Sequence, residues 1–260
     1  MVGIPGLLLA LSLFRLPEVE PVKREKAVPV QELLRIPAYR MVLISGWFIT
    51  FASHSYIIWG ATFVQQYKGF SVEETGIFLG GLLVAAGVLG VTAGAALADR
   101  LAGKFVWGRP LTVSIGFLIS CPLLVCAFQA PSRRVLLISF FAGVFFMAWY
   151  HGPVTATIHD LTPSRAHSTA MAIYYFWVNL FATLPAAWLI GKIADIYSLQ
   201  TGMYVAVTSQ AIGGICFLGV VYLIHRHGLH ASAESGGPEA GGEDALPLGN
   251  FPSSGGPSPA

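Results

Sequence analysis

The stretch GAALADRLAGKFVWGR, from Gly94 to Arg109, decides how the rest of this chain is interpreted. It closes a long run of glycine, alanine and leucine with the charged pair Asp99-Arg100. An aspartate is unfavourable at the end of its own helix, because the helix C-terminus carries partial negative charge. It becomes favourable where it meets the N-terminus of a neighbouring helix, whose free N–H groups attract anions. The stretch therefore predicts a contact between two long apolar helices, with a merely solvated helix end as the alternative.

The composition of the chain is that of a membrane protein. Hydrophobic residues make up 55% of the 260 residues and charged residues only 11%, whereas soluble domains carry about 25% charged residues. The net charge of +2 is too small to indicate a nucleic-acid partner. The three cysteines all lie in apolar runs without metal-ligand spacing. We therefore expect the lipid bilayer as surroundings, and neither a cofactor nor a metal site.

Six apolar segments are long enough to cross a bilayer, which requires about 20 residues. A short polar or turn-rich connection bounds each of them. The predicted fold class is an all-α integral membrane protein whose six transmembrane helices form one bundle over residues 41–226. The predicted spans are 41–64, 73–98, 110–129, 135–158, 168–194 and 202–225.

Three further regions flank the predicted bundle. Residues 1–14 are apolar but too short for a full span and lack the basic start of a signal peptide, so they are interpreted as the remnant of a preceding transmembrane helix. Residues 15–40 are polar and rich in proline, and are predicted to form a cytoplasmic linker. Residues 227–260 hold few bulky apolar residues among Gly, Pro, Ser and Glu, which predicts a disordered tail.

The distribution of basic residues predicts the orientation. The linker, the second-to-third and fourth-to-fifth connections, and the C-terminal end together carry eleven Lys and Arg residues, against four on the opposite side. Cytoplasmic loops carry the excess of Lys and Arg. Both ends of the six-helix unit are therefore predicted to face the cytoplasm, in the inner (plasma) membrane of the cell.

The stretch quoted first resembles the signature loop of the major facilitator superfamily of secondary transporters, which follows the second helix of each six-helix half. Matching positions run from the Gly94-Ala95 pair through Asp99 and Arg100 to Lys104. The pattern's glycine four residues before the aspartate is Ala95 here. Residues 56–76, 152–181 and 189–195 resemble the seventh helix, the tenth-to-eleventh connection and the end of the eleventh helix of the same family, within which the Spinster-like and organic-anion branch is most similar.

The resemblance implies the C-terminal half of a twelve-helix carrier, with the substrate site between the halves. A missing N-terminal half or a second copy of the chain would then be its partner. The implied function is secondary active transport, by alternating access, of a small organic solute of anionic or lipid-like amphipathic character. The alternatives are a non-transporting truncated fragment or scaffold, and a six-helix intramembrane hydrolase using a serine with a histidine as base.

Polar groups inside membrane spans are costly and by default mark functional positions. His54 lies near the middle of the first span and shares a helix face with Thr50 and Ser53. It is predicted to line a solute cavity, with a hydrogen bond to a neighbouring helix as the alternative.

Two further groups complete the predicted substrate site. Tyr150 and His151 lie beside Pro153, which is expected to kink the fourth span, and His151 could instead satisfy the carbonyl that this kink frees. In the fifth span Tyr175 and Asn179 lie one turn apart among other aromatic residues, which suit an amphipathic or organic-anion solute.

Residues at the helix ends are predicted to gate the carrier. Asp99 and Arg100, with Lys104, would stabilise the state closed to the cytoplasm, while Arg165 and Asp195 end the fourth-to-fifth connection and the fifth span. In the second span Gly76, Gly80, Gly87 and Gly94 lie on one helix face. They form either a static packing seam or a surface along which one helix slides.

Overall fold

The structure, a computed structural model, describes residues 28–227. The predicted helix remnant at 1–14, the first half of the predicted linker, and all but the first residue of the predicted tail lie outside the described residues. The later part of the linker forms a short helix, Val30–Arg35, whose Leu33 is buried.

Six helices are long and apolar enough to cross a membrane, so the predicted all-α fold is confirmed. Each predicted span lies inside one of them, and most of the helices extend beyond the predicted bounds. We number these helices as the first to sixth spans: Pro37–Lys68, Val72–Ala102, Gly108–Gln129, Arg133–Leu161, Ser164–Ile196 and Leu199–Arg226.

Local sequence explains where the first two spans begin and end. Ile36 is extended and Pro37 follows as the first helical residue, where its missing N–H costs nothing. The first span ends at Gly69, whose φ of 65° places it in the left-handed region that glycine adopts freely. The second begins with a capping box, in which Ser71 Oγ accepts from the Glu74 amide and the Glu74 carboxylate accepts from the Ser71 amide.

Irregular turns interrupt three of the spans. The fourth span, which was predicted to kink at Pro153, contains a 3₁₀ turn, Ala148–Tyr150, just before that proline. The second and fifth spans each contain a five-residue π-helical turn, Thr75–Leu79 and Asn179–Thr183. π-helical turns are rare in proteins, and those that occur are often found at functional sites.

Pro185 frees a backbone carbonyl within the π-helical turn of the fifth span. Pro185 has no N–H for the carbonyl four residues before it, which belongs to Phe181. The indole N–H of Trp47 in the first span donates to that carbonyl instead. A side chain of one span therefore satisfies a backbone group that proline freed in another.

The spans differ widely in burial. The first span packs along the sixth, the sixth span packs on the third, and the third packs on the fourth. The second span lies against the third and fourth spans. The fifth span lies against the first and sixth spans. In the most apolar stretch of each helix, 61% of the residues are buried in the first span but only 17% in the second and 28% in the fifth. The second and fifth spans therefore present the largest open surfaces of the bundle.

The predicted glycine seam of the second span is wrong in its register. The buried small residues are Ala86, Gly90, Gly94 and Ala98, spaced by four. A Cβ on Gly94 would lie 2.5 Å from Trp149 Cα, so glycine is required for the close approach to the fourth span. Among the described residues, by contrast, no atom lies within 4 Å of a Cβ built on Gly76, Gly80 or Gly87. Gly87 lies only about 20° from Gly94 around the helix, so the difference is one of position along the second span: the close contacts occur at Gly90 and Gly94.

Candidate functional site

A cleft of about 150 Å³ lies between the first, fourth and fifth spans, at the level of the 3₁₀ turn. Six of the seven residues predicted to bind substrate line it. They come from three different helices and converge only in the folded bundle: Thr50, His54, Tyr150, His151, Tyr175 and Asn179.

Ser53 is the exception, and its prediction as a substrate contact is wrong. Its side chain is buried and lies 3.8 Å from the Met147 sulfur of the fourth span, outside the cleft. Successive helical residues turn by about 100°, so Thr50 and His54 are only about 40° apart whereas Ser53 and His54 differ by a full 100°. That rotation directs Ser53 into the helix–helix contact.

Hydrogen bonds orient the polar side chains of the cleft. His54 Nδ1 lies 3.1 Å from the Thr50 carbonyl. A carbonyl only accepts, so Nδ1 carries the proton in this contact and Nε2 of the neutral ring is the acceptor. The Asn179 side-chain amide donates to the Tyr175 carbonyl at 2.8 Å, which leaves its oxygen as the acceptor. The cleft thus presents acceptor atoms from two different spans.

Aromatic rings form much of the remaining wall. The rings of Tyr150 and His151 lie 4.0 Å apart, and Tyr150 packs on the buried Phe117 of the third span. Tyr174, which is buried, lies beside the half-exposed Tyr175. The other lining residues are Val154, Thr155 and Val178. Sequence reasoning did not identify these three, because short aliphatic and hydroxyl side chains carry no signal of their own inside an apolar helix.

The cleft is electrically neutral as far as the described residues go. None of its described lining residues is Asp, Glu, Lys or Arg. The site is therefore suited to hydrogen bonding and to contacts with aromatic rings.

Charged residues meet at one end of the bundle, where the second and fourth spans finish and the third begins; we call it the Asp99 end. The Arg109 guanidinium lies 2.6 Å and 2.7 Å from the two Asp160 carboxylate oxygens. Its other terminal nitrogen lies 3.9 Å from Asp99, whose side chain is 73% exposed. One arginine at the start of the third span thereby connects the ends of the second and fourth spans.

Asp99 was predicted to meet the free N–H groups of a neighbouring helix start; in the structure it meets the Arg109 side chain near that start, and this contact is the weaker half of the network. The pairing of Arg109 with Asp160 was not predicted. These two residues are 51 positions apart, and no spacing rule relates the ends of two different spans. A pairing of this kind appears only once the helices are packed.

The other residues predicted to gate are distributed over both ends. Arg100, Lys104 and Arg165 are exposed at the Asp99 end and make no side-chain hydrogen bond or ion pair within residues 28–226. Asp195 lies at the opposite end, in a groove lined by Trp59, Gln66 and Tyr67 among others. The predicted gating residues therefore do not form a single cluster.

A stacked histidine pair adds to the Asp99 end. The rings of His159 and His167 are 4.4 Å apart and nearly parallel, at 8°. His167 Nε2 lies 3.1 Å and 3.0 Å from the carbonyls of His159 and Thr162, so it carries a proton. This pair ties the end of the fourth span to the start of the fifth.

Comparisons with known proteins give a consistent result. The family profile described as Major Facilitator Superfamily matches residues 1–184. A curated MFS-type efflux pump of Mycolicibacterium smegmatis is 27% identical over 198 residues, which cover 71% of this chain and 45% of that protein. The probable galactarate/D-glucarate transporter GudP of Bacillus subtilis is 25% identical over 177 residues, covering 67% of this chain and 38% of that one.

Solved structures agree in fold. A bacterial homolog of the human lysosomal transporter Spinster superposes in its inward-facing, unoccupied conformation with a TM-score of 0.72 at 18% identity, over 86% of this chain and 58% of that one. Its inward-facing, occupied conformation gives a TM-score of 0.66 over 86% and 57%. The chain thus spans about half the length of the proteins it matches.

Proposed function

Because this chain belongs to the Major Facilitator Superfamily, we propose that it is the solute-binding C-terminal half of a secondary carrier for a small organic solute. The observation that carries the proposal is the convergence of Thr50, His54, Tyr150, His151, Tyr175 and Asn179 on one cleft from three spans. The names of the two curated relatives, an efflux pump and a transporter, are in keeping with transport.

The lining of the cleft supports an anionic or amphipathic solute. The His151 imidazole and the hydroxyls of Tyr150 and Tyr175 can each donate a hydrogen bond to an anion. Tyr150 and Tyr175 offer ring faces for an apolar portion of the same molecule. Because the described lining of the cleft is neutral, the cleft holds no buried, unpaired charge while the solute is absent.

The cleft requires a second wall. His151 and Asn179 are exposed, and 53% of the Tyr175 side chain is accessible. We propose that a six-helix N-terminal half, or else a second copy of this chain, closes this side. The solute would then be exposed alternately to each side of the membrane as the two bundles rock.

The network at the Asp99 end is proposed to stabilise one of the two states. Arg109 and Asp160 hold the third and fourth spans together within this half, which leaves the largely exposed Asp99 and the exposed Arg100, Lys104 and Arg165 to contact the partner bundle. Asp195 would act in the same way at the opposite end. Gly94 permits the close contact that transmits movement from the second span to the fourth.

The hydrolase alternative is disfavoured by the same geometry. No serine is among the described residues that line the cleft containing both histidines. Ser53 faces Met147, and the Ser55 hydroxyl donates to the Phe51 carbonyl at 2.7 Å. A serine nucleophile needs a base within hydrogen-bond reach, which neither of these serines has.

Solute uptake by reconstituted vesicles tests the proposal. The chain is co-expressed with a matching N-terminal half, and candidate solutes are screened, beginning with dicarboxylic sugar acids and single-chain amphipathic anions. With the transported solute, His54→Ala is expected to reduce kcat/KM about tenfold or more, because one lost hydrogen bond of about 1.4 kcal/mol amounts to that factor. Tyr175→Phe is expected to have a smaller effect of the same sign.

Ser53→Ala is the matched control for this experiment. It changes the residue next to His54 but lies outside the cleft, so uptake is expected to stay within twofold of the unmodified protein. Equal loss in Ser53→Ala and His54→Ala would contradict the assignment of the cleft. Size measurement of the purified chain distinguishes a working homodimer from a non-transporting scaffold.

A further inference from the structure

A long apolar groove runs along the outside of the bundle, separate from the cleft. It has a volume of about 740 Å³ and lies between the Val30–Arg35 helix, the start of the first span and the fifth span. A second depression of about 370 Å³ shares Ile44, Trp177 and Phe181 with it and continues it to Trp47. Groove and cleft have no lining residue in common.

The stretch of the groove from Arg40 to Trp47 is short enough to lie within a single membrane leaflet. Arg40, at one end, is the fourth residue of the first span. Trp47, at the other end, follows seven residues later, which is about 10 Å along a helix. Half of a bilayer's hydrocarbon core is about 15 Å thick. We therefore place the groove in the leaflet that the distribution of basic residues predicts to be cytoplasmic.

Charge and apolar surface are separated along the groove. Arg40 is the charged residue among the described lining residues, and all the others are aliphatic or aromatic. Its side chain is exposed and makes no ion pair or hydrogen bond within residues 28–226. An arginine guanidinium binds phosphate through two parallel hydrogen bonds.

We propose that this groove binds an anionic phospholipid of the cytoplasmic leaflet. One acyl chain lies along Leu43, Ile44 and Phe176 towards Trp47, and the phosphate binds Arg40. The groove and the lipid match in their distribution of charge. A phospholipid carries an anionic group at the end of its hydrocarbon chains, and the groove has a cationic side chain beside an apolar wall. The site lies outside the solute cleft and does not depend on the proposed transport function.

Native mass spectrometry of the purified 260-residue chain tests this directly. Phosphatidylglycerol and phosphatidylcholine with identical acyl chains are titrated separately, and the populations of lipid-bound protein are compared. Phosphatidylglycerol is expected to bind more tightly, and Arg40→Gln is expected to weaken it about fivefold, the effect of about 1 kcal/mol from one basic residue near an anionic surface. Phosphatidylcholine binding is expected to change little in this variant.

Arg226→Gln is the matched control for charge. Arg226 is exposed at the same end of the bundle, on the sixth span, and does not line the groove. Its removal is expected to leave phosphatidylglycerol binding unchanged. An equal loss in Arg226→Gln and Arg40→Gln would overturn the proposal in favour of a diffuse attraction to the basic end of the protein.

A steric variant tests the apolar part of the site. Ala172 is exposed and lines the groove, so Ala172→Trp is expected to reduce binding of both lipids by filling the space for the acyl chain. Ala85→Trp, at an exposed position of the second span, is its control and is expected to have no effect. Unchanged lipid binding in Ala172→Trp would overturn the proposal.

Cross-linking of Ala172→Cys to a co-expressed N-terminal half would overturn it as well, because a protein helix would then occupy the groove.

Discussion

The second and fifth spans are both largely open, yet the bundle holds them by different means. Each contains a π-helical turn and has less than a third of its most apolar stretch buried. The second span packs through small residues on the fourth span, with Gly90 and Gly94 close to Ala148 and Trp149. Dispersion contacts of this kind have no direction.

The fifth span is held by hydrogen bonds from the first. The Tyr39 hydroxyl donates to the Ala170 carbonyl at 2.7 Å, the Trp59 indole to the Ala187 carbonyl at 3.2 Å, and the Trp47 indole to the Phe181 carbonyl. Each bond fixes one atom of the fifth span opposite one atom of the first. Two largely open helices can therefore be held with different freedom, because a glycine surface permits sliding whereas directional bonds fix the register.

Enlarging the glycine contact is expected to have the largest effect on stability. Gly94→Leu places a Cβ 2.5 to 2.8 Å from three atoms of Trp149, and overpacking of this kind costs about 1–3 kcal/mol, or more where backbone must move. The thermal unfolding midpoint of the purified chain in detergent is expected to fall by several degrees. An unchanged midpoint would mean that the second and fourth spans can move apart without loss of stability. The packed face of the second span would then be wrongly assigned.

Removing one indole N–H is expected to have the next largest effect. Trp47→Phe leaves the Phe181 carbonyl without its donor, next to a proline that cannot replace it, at a cost of about 1–3 kcal/mol. Trp177→Phe is the control, since the Trp177 indole makes no hydrogen bond within the described residues. Equal unfolding midpoints for the two variants would contradict the role assigned to the Trp47 bond.

A double-mutant cycle sharpens the same point. Pro185→Ala restores a backbone N–H that can bond the Phe181 carbonyl, so Trp47→Phe is expected to cost about 1 kcal/mol less in that background. The coupling is measured from the unfolding midpoints of both single variants and the double variant. Strictly additive changes would show that Trp47 and Pro185 act independently and that proline does not explain the bond.

The open face of the second span is expected to show the smallest effect. Among the described residues no atom lies within 4 Å of a Cβ on Gly87, so Gly87→Leu should leave the unfolding midpoint of the isolated chain nearly unchanged. The same substitution is expected to impair assembly with an N-terminal half if that half packs on this face. A drop as large as that of Gly94→Leu would show that the glycine register of the second span is wrong.

Part of the candidate site could be predicted because polar residues are rare inside apolar helices. His54, His151 and Asn179 are each polar residues inside a predicted apolar span, and all three line the cleft. Ser53 met the same criterion and yet packs on Met147. A serine is small enough to be buried in a helix contact with little cost, so polarity alone does not determine which side of the helix it faces.

The amino-acid sequence by itself determined that this chain crosses a membrane six times and belongs with the carriers of one superfamily, since hydrophobic length and local motifs are properties of contiguous residues. Only the tertiary structure decided that Arg109 pairs with Asp160, that Trp47 bonds the carbonyl freed by Pro185, and that Gly90 and Gly94 form the packed face. These contacts join residues tens of positions apart, and their partners depend on the rotation and depth of each helix. Rotation and depth are set by packing between helices, which local sequence does not encode.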